Sequence, residues 1–141
     1  IITIKTKKEF QFIDITEKIK SFIKKIKIKE GIINICSLHT TASVFINENE
    51  PLLLKDFINN LKKLAPKNIY YNHNDFVKRT VNMCKEECKN GHAHCKAIYL
   101  PTTITLNIIK SVLQLGTWQR IFFIELDHAR ERKIQLQVIG R

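Results

Sequence analysis

Apolar and polar residues alternate from Ile2 to Lys7, and Phe10 to Ile13 forms a short apolar segment after a charged turn. Alternation of this kind puts every second side chain on one face, so the two segments predict an opening β-hairpin. Ile19, Phe22, Ile23 and Ile26 then recur at helical spacing and leave Lys18, Lys20, Lys24, Lys25 and Lys27 toward solvent. Asp14 or Thr16 is placed to cap this helix, and Glu17 suits the positive end of its dipole. Gly31 opens a β-branched run from Ile32 to Leu38 that predicts an interior strand delivering His39 at its end. Ser43 to Ile46 predicts the next strand, with Asn47 and Glu48 at its exit.

Pro51 after Asn49 signals a helix start, and Leu53, Leu54, Phe57, Ile58, Leu61 and Leu64 make its apolar stripe before Pro66 ends it. From Lys67 to Asn90 the periodicity dissolves into a polar-aromatic loop, with a short helix expected between Lys78 and Lys89. Gly91 to Lys96, running into the apolar Ala97 to Leu100, reads as a strand. In that conformation His92, His94 and Lys96 project together as one polar wall. Thr103 to Ile109 and Val112 to Leu115 predict a hairpin turning near Lys110 and Ser111. Gly116 to Gln119 is a turn into a strand from Ile121 to Asp127, and Lys133 to Ile139 alternates as a last strand after the connection from His128 to Arg132. The sum is a strand-rich α+β fold with two principal helices.

With 141 residues, the chain has the length of a single domain spanning 1–141, able to bury a core without disulfide staples. Its net charge of +11 invites a nucleic-acid reading. The densest basic run, Lys18 to Lys29, is better read as a solvated helix face, and no basic-aromatic interleaving accompanies it. Nucleic acid is therefore not the expected partner; the charge instead favours a small anionic substrate. The apolar runs are too short to span a bilayer, so no membrane partner is expected. Cys36, Cys84, Cys88 and Cys95 read as reduced thiols of a cytoplasmic protein. Four glycines leave no room for a nucleotide-cradling loop or a dinucleotide fingerprint, and there is no Ser-His-Asp pattern.

The motif-bearing segments are familiar as a set. His39-Thr-Thr-Ala-Ser43, Ile46-Asn-Glu48, Tyr71-Asn-His73, His92-Ala-His94-Cys-Lys96, Leu115-Gly-Thr-Trp-Gln119 and Glu125-Leu-Asp127 occur in that order. Together they resemble the YjbQ family, also called UPF0047 or the secondary thiamine-phosphate synthase family, from about Ile2 to Gly140. The resemblance implies β-sandwich-like sheets, a homotrimer, and in some members a secondary activity that joins a hydroxymethylpyrimidine diphosphate to a thiazole phosphate with release of pyrophosphate. The family's polar positions fall on His39, Thr40, Ser43, Asn47, Glu48, His73, His94, Lys96, Thr117, Trp118, Gln119 and Glu125, while His92 matches a more variable position. Three segments depart from the family pattern. Leu100-Pro-Thr-Thr103 replaces a glycine and small hydroxyl residues, Asp127-His-Ala-Arg130 replaces an Asp-Gly-Pro-Arg type of turn, and Phe76 to Asn90 is longer.

On this resemblance His39, Glu48, His94 and Lys96 are the candidate catalytic residues. Thr40, Thr41, Ser43, Asn47, Trp118, Gln119 and Arg130 are candidates for holding a small phosphorylated metabolite, with Lys96 or Arg130 opposing the leaving pyrophosphate and Trp118 stacking on a heterocycle. Three imidazoles, those of His39, His73 and His94, would suit a divalent metal, zinc or magnesium, with Glu48 or Glu125 orienting an imidazole. Each of these readings has a plainer counterpart: histidines hydrogen-bonded at a trimer contact, Trp118 as a core or contact aromatic, Lys96 in a salt bridge reaching solvent. A closed zinc site of Cys84, Cys88, His92 and His94 is a separate arrangement. The function alternative to the synthase is a noncatalytic trimeric protein that binds a metal or an anionic metabolite.

Overall fold

A computed structural model describes residues 1–141. The chain runs β1 (Ile2–Lys5), β2 (Gln11–Asp14), α1 (Thr16–Ile26), β3 (Glu30–Ser37), β4 (Ala42–Asn47), α2 (Pro51–Leu64), a single 3-10 turn (Asn72–Asn74), α3 (Gly91–Ala97), β5 (Thr103–Ile109), β6 (Val112–Leu113), β7 (Arg120–Glu125) and β8 (Glu131–Gly140). Five strands form one sheet in the order β1-β8-β3-β5-β6, and three form a second in the order β2-β7-β4. Every pairing is antiparallel.

β7 explains why the layers stack as they do. Every residue from Ile121 to Glu125 is buried, so the strand is covered on both faces. Ile121 and Phe123 join Ile15, Ile19 and Ile23 around α1 with Ile33, Ile35, Ile108 and Ile134 of the large sheet in the main core. Ile124 projects the other way, with Leu126 just beyond the strand, and packs with Leu61 of α2 and with Ala93 and Ala97 of α3. The small sheet is thus the middle layer, with the large sheet and α1 on one side and α2 and α3 on the other. On the first side Glu125 shares the parity of Ile121 and Phe123, and it meets Arg132 of β8 through bidentate contacts, Arg132 Nε donating to Oε2 at 2.7 Å.

The strands β3 to β8, α1 and α2 fall where the pattern of the chain predicts them. α2 begins with Pro51, but the cap is Glu50, whose carboxylate accepts from the N–H of Leu52 at 3.0 Å and of Leu53 at 2.6 Å. Its stripe is only partly covered: Leu61 is buried, Leu53, Leu54, Phe57 and Ile58 are half-buried, and Leu64 is exposed. Lys110 and Ser111 both take positive φ, the geometry of a tight two-residue hairpin turn.

Four expectations are corrected. β1 and β2 are not a hairpin, because β1 pairs with β8 and β2 with β7 in the other sheet. The chain crosses between the sheets through Phe10, whose φ is 56°. Gly91 to Ala97 is a helix, not a strand, since Ala93 and Ala97 are one helical turn apart and both bury against Leu61, Ile124 and Leu126. There are consequently three α-helices rather than two principal ones. Lys78 to Lys89 carries no helix; the segment is tied instead around Arg79, which donates to Glu87 at 2.9 Å and to the carbonyls of His73 at 3.3 Å and Asn82 at 2.7 Å.

Candidate functional site

The helical conformation of Gly91–Ala97 redistributes its polar side chains. Residues four apart share a face, whereas residues two apart point about 200° away from each other. His92 and Lys96 therefore stay together, with Lys96 Nζ 3.0 Å from His92 Nδ1, and His94 turns to meet His73, ring centroids 4.5 Å apart. The polar wall expected of His92, His94 and Lys96 is two separate sites.

The first site surrounds Lys96. Lys96 is 1% exposed, and its ammonium forms no salt bridge with a carboxylate. The ammonium lies 5.4 Å from the centroid of the Phe10 ring, which also carries Lys62 Nζ at 5.9 Å. Glu9, the nearest acid of the site, is engaged by Lys67 at 2.8 Å and lies 3.5 Å from His92 Nδ1. Lys62, Lys67 and Lys96 line a cavity of about 290 Å³ with Glu9, Phe10 and Asn68. Burial lowers the Lys96 amine from its ordinary range, with Glu9 acting in the opposite direction. Further along β2 and α2 lies a second cavity of about 240 Å³, lined by Phe12, Phe45, Phe57 and Leu61 with Asn47 and Asn60 as its polar walls.

The second site lies where the α3 N-terminus meets the β7–β8 turn. Buried Asp127 accepts from Asn90 Nδ2 at 2.9 Å and from Arg130 at 2.6 Å, and His128 Nδ1 stands 3.0 Å from its other oxygen. Burial alone would raise this carboxyl, but the hydrogen bonds of Asn90 and His128 and the charge of Arg130 outweigh it and hold Asp127 below its usual range. Cys88 sits beside this group, and burial together with the Asp127 charge pushes its thiol up.

The remaining predicted residues lie elsewhere. His39 accepts at Nε2 from the Lys133 N–H at 2.6 Å, and Thr41 accepts from Arg132 at 3.0 Å in the buried network of Glu125. Thr40 is exposed, and Ser43 is buried with its hydroxyl on the Pro101 carbonyl. Glu48, Trp118 and Thr117 line an acidic groove of about 460 Å³ with Asp14, Glu50 and Arg120. Gln119 caps its own turn by accepting from the Gly116 N–H at 2.8 Å. His39, His73 and His94 do not bring their ring nitrogens together as metal donors, and neither do Cys84, Cys88, His92 and His94. The residues do not fit a three-histidine metal, so no chemistry is routed through one. Lys62, Lys67, Asn60 and Phe57 escaped sequence reasoning: the lysines are hidden in a general lysine excess, and Phe57 reads simply as core.

Burial depresses the imidazoles of His39, His92 and His94 below the ordinary 6.5. The unfolded chain therefore takes up protons first as pH falls below about 6.5, and the folded state loses stability from there downward. Urea unfolding is expected to give a lower midpoint at about pH 5 than at about pH 8, and an unchanged or higher midpoint would contradict this assignment. The lowered Lys96 amine acts likewise on the alkaline side, stability rising with pH up to 10.5.

Comparison with known proteins covers the whole chain. A family model described as UPF0047 protein YjbQ-like matches residues 1–141. A UPF0047 protein of Methanothermobacter thermautotrophicus is 34% identical over 140 residues, spanning 99% of this chain and 90% of the relative. A second, from Methanocaldococcus jannaschii, is 38% identical over 138 residues, spanning 97% and 91%. Among solved structures, a YbjQ-like protein of unknown function from Sulfolobus solfataricus P2 superposes with a TM-score of 0.87 at 31% identity, covering 99% of this chain and 94% of that one. An uncharacterized YjbQ/UPF0047 protein from Clostridium acetobutylicum superposes with a TM-score of 0.81 at 34% identity, covering 99% and 100%.

Proposed function

Since this chain belongs to the YjbQ-like UPF0047 family, we propose that it takes a small phosphorylated heterocycle, with the phosphate in the lysine cavity and the ring in the phenylalanine cavity beside it. The observation that carries the reading is Lys96: a fully buried ammonium with no carboxylate partner, opening on a cavity that already holds Lys62 and Lys67. Buried charges are normally paired, and an anion entering this cavity supplies the missing countercharge. Asn47 and Asn60 offer amide donors and acceptors to a ring seated among Phe12, Phe45 and Phe57.

The reaction that the family resemblance implies for these cavities is thiamine-phosphate synthesis. The bond between the pyrimidine methylene carbon and the diphosphate oxygen breaks, pyrophosphate leaves with the electron pair, and the thiazole nitrogen forms the new carbon–nitrogen bond. Lys96, Lys62 and Lys67 would stabilise the negative charge that grows on the leaving oxygen. His92, accepting from Lys96, keeps the amine aimed at the cavity. Purified protein given both phosphorylated precursors is expected to release pyrophosphate and thiamine phosphate in equal amounts. Absence of product would remove the transferase, and pyrophosphate binding without turnover would leave the noncatalytic anion-binding protein. The second reading is favoured by one observation: Glu48 and Trp118, candidate site residues, line a groove separate from both cavities.

The half-covered stripe of α2 and the 71% exposed Trp118 support the proposed homotrimer, because association would cover apolar surface that the single chain leaves open. Light scattering is expected to give three times the mass of 16.5 kDa, and a monomer would contradict the assembly. No helix is long and apolar enough to cross a membrane; a cytoplasmic location remains part of the proposal.

A further inference from the structure

We propose that Cys88, Asp127 and His128 form a site for a divalent cation of the zinc type, with Arg130 as the competing occupant. The ligand atoms of these three residues lie within 4.8 Å of one another, and they are the chain's one group of His, Cys or acidic side chains so arranged. Asp127 Oδ1 is 3.0 Å from His128 Nδ1, and Cys88 Sγ is 3.9 Å from both His128 Nδ1 and Asp127 Oδ2. Zinc bonds of about 2.0–2.1 Å to N and O and about 2.3 Å to S imply tetrahedral edges of about 3.3 Å between N and O and about 3.6 Å to sulfur. Two of the separations, from His128 Nδ1 to Asp127 Oδ1 and from His128 Nδ1 to Cys88 Sγ, fall within about 0.4 Å of those edges, and Cys88 approaches the carboxylate through its other oxygen. At 3.9 Å from each partner the thiol makes only long, weak sulfur hydrogen bonds to Asp127 and His128.

A second observation is the way Arg130 fills the gap. One guanidinium nitrogen lies 2.6 Å from Asp127 Oδ2, 2.7 Å from each ring nitrogen of His128 and 3.9 Å from Cys88 Sγ. A neutral imidazole accepts at only one nitrogen, so Arg130 cannot bond to both. Its Nε is meanwhile buried without any partner. The donors surround a cation position that the arginine occupies imperfectly. A metal there displaces the guanidinium, takes Cys88 as thiolate with its proton released to solvent, and leaves a fourth position open for water or a substrate oxygen. Asn90, donating to Asp127 Oδ2, holds the carboxylate from behind. His128 stands where the family resemblance implies a glycine, and Cys88 lies in the segment longer than the family pattern. The site therefore belongs to this chain's own departures.

The test is titration of the full chain with Co²⁺ followed by competition with Zn²⁺, read by absorption. Wild type is expected to develop a thiolate-to-cobalt charge-transfer band that Zn²⁺ abolishes. Cys88→Ser should lack the band, His128→Ala should weaken binding at least ~10-fold, and Arg130→Ala should tighten it by removing the competitor. Thermal unfolding of the metal-free variants separates lost ligation from lost folding. No band in wild type and Arg130→Ala, or a band that survives in Cys88→Ser, would overturn the site. Neither result bears on the lysine cavity, which is read by pyrophosphate.

Discussion

Arg132→Met is expected to destabilise the protein by about 3–5 kcal/mol, because it leaves the Glu125 carboxylate buried and stripped of its countercharge. Glu125 is 0% exposed and Arg132 2%, so water cannot take over the lost contacts. The network that remains, Thr6 Oγ1 donating at 2.9 Å and the Asp127 N–H at 3.0 Å, supplies hydrogen bonds but no positive charge. In a chain of this size the loss corresponds to a fall in melting temperature of roughly 10–20 °C. Adding Glu125→Leu to the same chain should recover part of the loss, since a pair replaced by apolar groups no longer carries an uncompensated buried charge. A loss below about 1 kcal/mol in denaturant unfolding of the single variant would mean that the pair is solvated in a way the structure does not contain.

Lys96→Met is expected to separate function from stability. Methionine matches the length of the lysine stem and removes an unpaired buried ammonium, so folding stability should hold or rise. Turnover of the two phosphorylated precursors should fall by ~10²–10³, the usual cost of removing one donor aimed at developing negative charge. If turnover fell together with stability, Lys96 would be a packing element; if neither changed, the leaving group would lie elsewhere.

Why the chain reveals some of this and conceals the rest follows from the range over which each signal acts. Helical spacing in α1 and α2 and the β-branched run of β3 are local, and the structure contains these elements where the spacing puts them. Partnership is not local: alternation marks β1 and β2 as strands but says nothing of β8 and β7, with which they pair. The segment Gly91 to Ala97 is too short for its two periods to be told apart, because His-Ala-His-Cys-Lys-Ala alternates and also repeats Ala at helical spacing. Lys96 is legible as a candidate from its polar neighbours, yet its companion is His92 and not His94. Arg132 reads as one more charge in a connecting segment, and only the packing of β8 against β7 places it on Glu125. Lys62 and Lys67 carry no sequence signal that distinguishes them from the other lysines; the cavity does.

The central claim is that the Lys62–Lys67–Lys96 cavity binds phosphate groups, and calorimetric titration of inorganic pyrophosphate into wild type and Lys96→Met addresses it most directly. Wild type is expected to bind in proportion to its folded concentration, with affinity that weakens as salt is raised, and Lys96→Met to bind at least ~10-fold more weakly. Equal affinity in the two proteins, or no heat in either, would contradict the account.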